Sequence, residues 1–151
     1  MTSPPRIDEV PELWRSDGSF RDVYVNDTNV RDWEKFIEFA SAYPNRYTID
    51  GCVASMTSVA DALHDRDHAH LLAVWVGGAQ INCHFFSEEE IELDLDPREI
   101  HASEHDAVLH FVAALSTALG KPALVTEENA HELPLLTYEP RNSAWCNHGK
   151  R

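Results

Sequence analysis

The stretch LLAVWVGGAQINCHFFSEEEIELDLDP, residues 71–97, decides the fold that the sequence predicts. Residues 69–76 are apolar on both faces, as in a central strand, and two glycines then supply a tight turn before a second strand at 80–86. Residues 91–96 alternate apolar and acidic side chains and stop at Pro97, which predicts a third strand. The stretch therefore predicts a three-stranded antiparallel meander.

The register of this meander follows from keeping its apolar side chains on one face, because a shift of one residue would move all of them into solvent. The glycine turn pairs Leu71 with His84, and a three-residue turn at 87–89 places Glu92 on the other side of His84, within reach of a charge-assisted contact. The opposite face then carries aromatic and polar groups beside acids: Trp75, Gln80, Asn82, His84, Phe86, Glu90, Glu92 and Asp94.

Outward from the meander, the spacing of the apolar residues becomes helical in two places. Residues 28–43 predict one helix. Residues 103–119 predict another helix. Ser103 and Asp106 are expected to cap its amino end, and Gly120 is expected to end it. Shorter elements are a hairpin joining 13–16 to 20–26, a strand at 46–50, a weak helix from about 58 to 64, a loop at 64–70, and strands at 123–126, 134–138 and 143–146. The predicted class is α+β: an antiparallel sheet, with a central meander of about three strands plus flanking strands, packed on one face by two main helices.

At 151 residues the chain is long enough for one hydrophobic core and too short for two comfortable domains. We expect a flexible Pro-rich amino terminus at 1–12, a single domain at 13–146 and a flexible carboxyl terminus at 147–151. The amino terminus lacks the apolar region of a signal peptide, and no apolar run approaches the ~20 residues of a membrane-spanning helix. The three cysteines form no C-x-x-C pair. These features favour a cytoplasmic protein with reduced thiols, away from membranes.

Charge is the most unusual bulk property, since 26 Asp and Glu against 12 Lys and Arg leave a net charge of −14. Such a field repels phosphate backbones and speeds encounter with basic surfaces, so we expect a basic protein partner and no nucleic acid. Rigid aromatic groups within a polar, acidic field are typical of protein-binding faces, which makes the outer face of the meander the candidate partner-binding site. Two alternatives stay open: the acidity serves solubility alone, or later elements cover this face.

The histidine-rich segment 64–70 is the strongest candidate for chemistry. His64 and His68 have the spacing of the H-E-x-x-H zinc motif, and Asp67 and His70 lie close by in the sequence. An Asp stands where that motif has Glu, and the helical pattern fails here, so a solvated loop is favoured over a metal-dependent hydrolase. No P-loop, nucleophile elbow or EF-hand spacing is present, and we therefore assign no catalytic residue, cofactor or metal.

The middle and the end of the chain resemble the small immunity proteins that bacteria encode beside polymorphic or contact-delivered toxins. The resemblance depends on the order of elements, which is strand, Gly-Gly turn, strand, acidic strand and helix, and on the stretches EIELDLDPREI, ALGKPALVTEEN and LPLLTYEP. The resemblance covers residues 70–140 and includes no family-defining motif, so no functional residue is carried over from it. It implies a stoichiometric inhibitor whose acidic strand meets the basic cleft of a toxin, with Trp75 or Phe86 as an anchor. A structural assembly subunit that docks through its Pro-rich amino terminus is a third possibility.

Overall fold

The computed structural model describes residues 3–149, which form a nine-stranded antiparallel sheet and three α-helices. The strand order is β3-β2-β4-β5-β6-β1-β7-β8-β9. The strands are β1 (Arg21–Asn26), β2 (Asn45–Ile49), β3 (Cys52–Val53), β4 (His70–Val76), β5 (Ala79–Ser87), β6 (Glu90–Leu95), β7 (Ala123–Glu127), β8 (Pro134–Glu139) and β9 (Ala144–Asn147). The helices are α1 (Val30–Ala40), α2 (Val59–His64) and α3 (Ala102–Leu119), with short 3-10 turns at Ile7–Glu9 and Pro97–Glu99. The α+β class is confirmed, and the sheet is wider than the predicted meander.

The meander lies near the middle of the sheet as β4, β5 and β6. Leu71 pairs with His84, and His84 pairs with Glu92, as predicted. The predicted three-residue turn at 87–89 is wrong, because Ser87 pairs directly with Glu90 and a β-bulge lies between His84 and Ser87. The bulge absorbs the extra residue, so a two-residue turn closes the hairpin while the apolar side chains keep to one face.

The helices cover the apolar face of the sheet and enclose one core with it. Helix α1 begins at a capping box formed by Asn29 and Asp32, and its Trp33 and Phe36 are fully buried. The ring of Trp33 lies 5.1 Å from that of Phe85 on β5. Helix α3 packs against α1 and against the sheet and ends at a left-handed glycine, as expected for a C-cap. The two main helices therefore lie on one face, as predicted.

The cap of α3 differs from the prediction. Its N-cap is His101 rather than Ser103, because the Glu104 carboxylate reaches back to accept the His101 backbone N–H at 3.0 Å. The Ser103 hydroxyl donates to Glu104 instead. The capping box is therefore formed by His101 and Glu104, two residues earlier than the predicted box of Ser103 and Asp106. The Glu side chain is longer than that of Asp and reaches the backbone more easily.

The predicted amino-terminal hairpin is wrong, since β1 pairs with β6 and β7 rather than with residues 13–16. The cause is Arg21, which is 1% exposed and whose guanidinium donates to the carbonyl oxygens of Leu13, Glu12 and Arg15. Carbonyls that point at one guanidinium cannot form a strand ladder, so the segment turns around the Arg21 side chain instead.

The described part of the Pro-rich amino terminus packs against the domain. Val10 is buried, and His105 of α3 contacts the Pro5 carbonyl oxygen at 2.8 Å while accepting the Trp14 indole N–H. The packed domain therefore begins before residue 13, and it extends to Asn147 in β9. Residues 1, 2, 150 and 151, which belong to the two expected flexible ends, lie outside the described residues.

The remaining short elements agree with the sequence prediction. The strands at 46–50, 123–126, 134–138 and 143–146 are present as β2, β7, β8 and β9, each with small shifts at its ends. Helix α2 is capped by the Ser58 side chain, which accepts the Asp61 backbone N–H. Across residues 3–149, no helix combines the length and the apolar character needed to cross a bilayer.

Candidate functional site

The eight predicted site residues lie on the side of β4, β5 and β6 that faces away from the helices, called the outer face below. Phe86 is the most exposed of them at 59%. The exposed fraction of the side chain is 31% for Glu90, 29% for His84 and 20% for Asp94. The other four are half-buried: Trp75, Gln80, Asn82 and Glu92. These side chains thus reach the surface instead of forming a second sealed core.

His84 is the centre of a polar network on the outer face. Its Nε2 lies 2.6 Å from Asp94 Oδ2, and the Asn82 amide donates to Asp94 Oδ1 at 3.0 Å. The imidazole was expected to contact Glu92, its cross-strand neighbour, but its hydrogen bond goes to Asp94 on the diagonal. This hydrogen bond raises the pKa of His84. The network therefore favours the protonated form of the imidazole beside the Asp94 carboxylate.

The ring of Phe86 stacks on the ring of His84, with centroids 5.1 Å apart and planes 3° from parallel. The bulged turn that carries Phe86 is fixed from two sides. Arg66 donates to the Phe86 carbonyl oxygen at 3.0 Å, and the Trp33 indole of α1 donates to the Ser87 carbonyl oxygen at 3.1 Å. An exposed aromatic ring in a fixed position loses little conformational freedom on binding a partner.

Strand β1 adds two residues that sequence reasoning missed. Asp22 and Tyr24 pair with Asp94 and Glu92, and the Tyr24 hydroxyl donates to Asp22 Oδ2 at 2.9 Å. Burial raises the pKa of Asp22, and burial together with the hydrogen bond to Asp22 raises that of Tyr24. The alternation in RDVYVN was a visible signal, but only long-range pairing with β6 places these side chains beside the meander.

The loop between β7 and β8 folds over the β1 side of the outer face. The His131 ring lies 4.0 Å from that of Tyr24, and its Nε2 lies 2.9 Å from Asn26 Oδ1. The Asn129 backbone N–H donates to Asp22 Oδ2 at 2.9 Å. The alternative in which later elements cover this face therefore holds at β1, whereas on β5 and β6 the loop reaches only Glu90, which stays 31% exposed.

A depression of about 380 Å³ opens between this loop and the Phe86 ring, and it is called the acidic depression below. Its lining comprises two aromatic rings, four carboxylates, one imidazole and one Asn: Phe20, Phe86, Asp22, Glu92, Asp94, Glu128, His84 and Asn129. Within residues 3–149, His84 is the only basic side chain within 4.0 Å of any of the four carboxylates. Burial raises the pKa of Glu92 in the same place. The depression is therefore short of positive charge.

The histidine-rich segment forms a separate network. Asp65 Oδ2 lies 2.9 Å from His68 Nδ1 and 2.8 Å from His70 Nε2, and these contacts, that of His70 first, lower the pKa of Asp65 to about 2. The other nitrogen of His70 contacts the Tyr47 hydroxyl. His64 instead faces Glu88 at 3.9 Å. His68 and His70 thus meet at Asp65 while His64 lies apart, so the three histidines of the alternative prediction do not form one cluster. In the described chain no group of three or more His, Cys, Asp or Glu side chains is arranged to hold a metal ion.

Comparison with known proteins adds no relative from which a role could be transferred. No protein-family model matches the chain, and the searches of curated proteins and of solved structures return no match. The resemblance to immunity proteins therefore stays a sequence-based expectation. Any function has to be argued from the outer face and the acidic depression.

Proposed function

We propose that this chain is an acidic protein-binding module that acts as a stoichiometric, immunity-type inhibitor and docks its outer face on a basic partner such as a toxin domain. The observation that supports this proposal is a fixed, exposed Phe86 ring beside four carboxylates whose one basic neighbour within 4.0 Å, among residues 3–149, is the His84 imidazole. Carboxylates of this kind accelerate encounter with a basic surface, and a rigid aromatic group provides affinity once water is displaced.

Inhibition in this scheme requires no chemistry by the chain itself. The outer face belongs to the central strands of a wide sheet, and its side chains are held by cross-strand hydrogen bonds such as that from Asn82 to Asp94. A face of this kind can cover a partner's basic cleft as a rigid body and exclude its substrate. Trp75 at one end and Phe86 at the other are the anchors expected to be desolvated.

The test uses a partner captured from the native cell, or the protein encoded by the neighbouring gene, and measures binding by calorimetry. We expect a 1:1 complex. The Trp75→Ala variant should bind at least about 30-fold more weakly than the unmodified protein, which corresponds to a hot-spot loss of about 2 kcal/mol. Its circular dichroism should stay that of a folded domain.

The matched control is Thr117→Ala, which truncates an exposed side chain on α3, on the opposite side of the sheet from the outer face. Its affinity should equal that of the unmodified protein. If Trp75→Ala lowers only the melting temperature, or if Thr117→Ala weakens binding as much, the assignment of the outer face is wrong.

A further inference from the structure

Asp22 is only 4% exposed, yet one of its carboxylate oxygens has no donor. Oδ2 accepts two hydrogen bonds, from the Tyr24 hydroxyl and from the Asn129 backbone N–H. Oδ1 accepts none from residues 3–149. In that part of the chain no fully buried side-chain oxygen or nitrogen lacks a partner, so Oδ1 must reach accessible space. Asp22 is one of the residues that line the acidic depression, so a donor could approach this oxygen from there.

The charge around Asp22 makes the missing donor costly. Burial disfavours the ionised carboxylate and raises its pKa, and the carboxylates of Asp94 and Glu128 act in the same direction. A buried anion of this kind is destabilising unless it is paired. The single imidazole in the depression is committed to Asp94. A cation that enters from outside would therefore meet an acceptor that the fold has left open.

The shape of the depression favours a planar cation over a point charge. Its acceptors come from different strands and from the β7–β8 loop, and the rings of Phe20 and Phe86 form part of its wall. A guanidinium presents five donors in a fixed fork and stacks on aromatic rings, whereas an ammonium is compact and strongly hydrated. A volume of about 380 Å³ is large enough for an arginine side chain.

We propose that the acidic depression receives an arginine side chain of the partner, whose guanidinium donates to Asp22 Oδ1 and to Glu92 while its stem lies along Phe86. This inference rests on the proposed function, because it names the chemical group that a basic partner would insert at that site. The arginine would supply the donor that Asp22 lacks, and its stem would lose water where it lies along Phe86.

The experiment compares two neutral-ended peptides of equal charge, acetyl-Gly-Arg-Gly-amide and acetyl-Gly-Lys-Gly-amide, titrated into the ¹⁵N-labelled full chain and followed by NMR. We expect the arginine peptide to bind at least about threefold more tightly. The largest shifts should include the Asn129 amide, which is bonded to Asp22, and the amides of Phe86 and Glu92.

Variants with a single charge removed locate the binding. Asp22→Asn and Glu92→Gln should each weaken the arginine peptide several-fold, whereas Glu89→Gln, which removes the same charge from an exposed side chain on the neighbouring turn, should leave its affinity unchanged. Glu128→Gln serves as a further depression variant if Asp22→Asn does not fold. Equal weakening by Glu89→Gln would overturn the inference, because binding would then follow net charge alone.

The outcomes separate this inference from the proposed function. If both peptides bind equally and both are lost in Asp22→Asn and Glu92→Gln, the guanidinium inference is wrong and an acidic docking face remains. If neither peptide shifts the amides of the depression, the inference is also wrong. The proposed function is then decided separately by the affinity of Trp75→Ala for the protein partner.

Discussion

Arg21 and Asp22 are consecutive on β1, point to opposite faces of the sheet, and are almost equally buried, at 1% and 4% exposed. The Arg21 guanidinium makes five hydrogen bonds, four of them to backbone carbonyls. Asp22 has both of its hydrogen bonds on one oxygen. Burial alone therefore does not identify a structural charge, whereas complete pairing does. The difference separates a buried charge that holds the fold together from one whose pairing is incomplete.

The same contrast runs along β6 and gives the prediction with the largest effect. Leu93 faces the core and is fully buried, and its neighbour Glu92 lies on the outer face. Leu93→Ala should lower the free energy of unfolding by about 2–5 kcal/mol, because it removes buried methyl groups and leaves a cavity. Urea denaturation of Leu93→Ala and Glu92→Gln tests the comparison. A loss in Glu92→Gln as large as that in Leu93→Ala would show that the two faces do not differ.

Arg21 provides the next prediction. Arg21→Met should keep the apolar bulk but leave buried carbonyl oxygens without donors, and we expect a loss of about 2–4 kcal/mol in the free energy of unfolding. The matched control is Arg98→Met, since Arg98 forms an ion pair with Asp96 at the surface and should contribute far less to the free energy of unfolding than Arg21. Equal losses in the two variants would contradict the structural role of Arg21.

Asp22→Asn should change the free energy of unfolding by less than Arg21→Met does, and should raise it rather than lower it. Because the folded pKa of Asp22 is raised, the folded state binds a proton more tightly than the unfolded state, and stability falls as pH rises through that pKa. An uncharged Asn avoids this cost, so the variant should melt above the unmodified protein at pH 7. The difference should shrink as the pH is lowered from 7 through the folded pKa of Asp22, where the unmodified carboxylate becomes protonated.

Melting curves of both proteins across this pH range are the measurement. A variant that is less stable than the unmodified protein at neutral pH would mean that the ionised carboxylate stabilises the fold, and Asp22 would then resemble Arg21. A gain in stability joined to a loss of partner affinity would instead indicate a residue kept for binding.

The smallest expected effect concerns His84, whose pKa is raised by its hydrogen bond to Asp94. A raised histidine pKa stabilises the fold fully below the unfolded value of about 6.5, and this contribution is lost as pH rises through the folded value. The stability difference between the unmodified protein and His84→Gln should therefore be larger at pH 6 than at pH 9. Asp94→Asn should also remove the pH-dependent contribution of His84 to stability, because it removes the partner of the imidazole. A difference that does not change with pH would contradict the His84–Asp94 pairing.

The candidate site was partly predictable from the sequence. The period of two in residues 71–97 and the Gly-Gly turn were enough to pair Leu71 with His84 and to place eight residues on one face, because side-chain alternation leaves one register that buries the apolar set. The bulge before Ser87 was missed because it lies at the end of β5, where no further residues of the strand follow to show the one-residue shift in alternation that a bulge causes. The hairpin predicted at 13–26 failed because Arg21 recruits the preceding carbonyls.

The sequence by itself determined the α+β class, the central meander, the segregation of apolar from acidic side chains, and the large negative charge. These depend on neighbours along the chain, where periodicity is visible. Only the tertiary structure decided that β1 lies beside β6, that the β7–β8 loop folds over Asp22, and that an incompletely paired carboxylate lines a depression. Those contacts join residues about seventy to a hundred positions apart, and their geometry depends on how the whole core packs rather than on any local pattern.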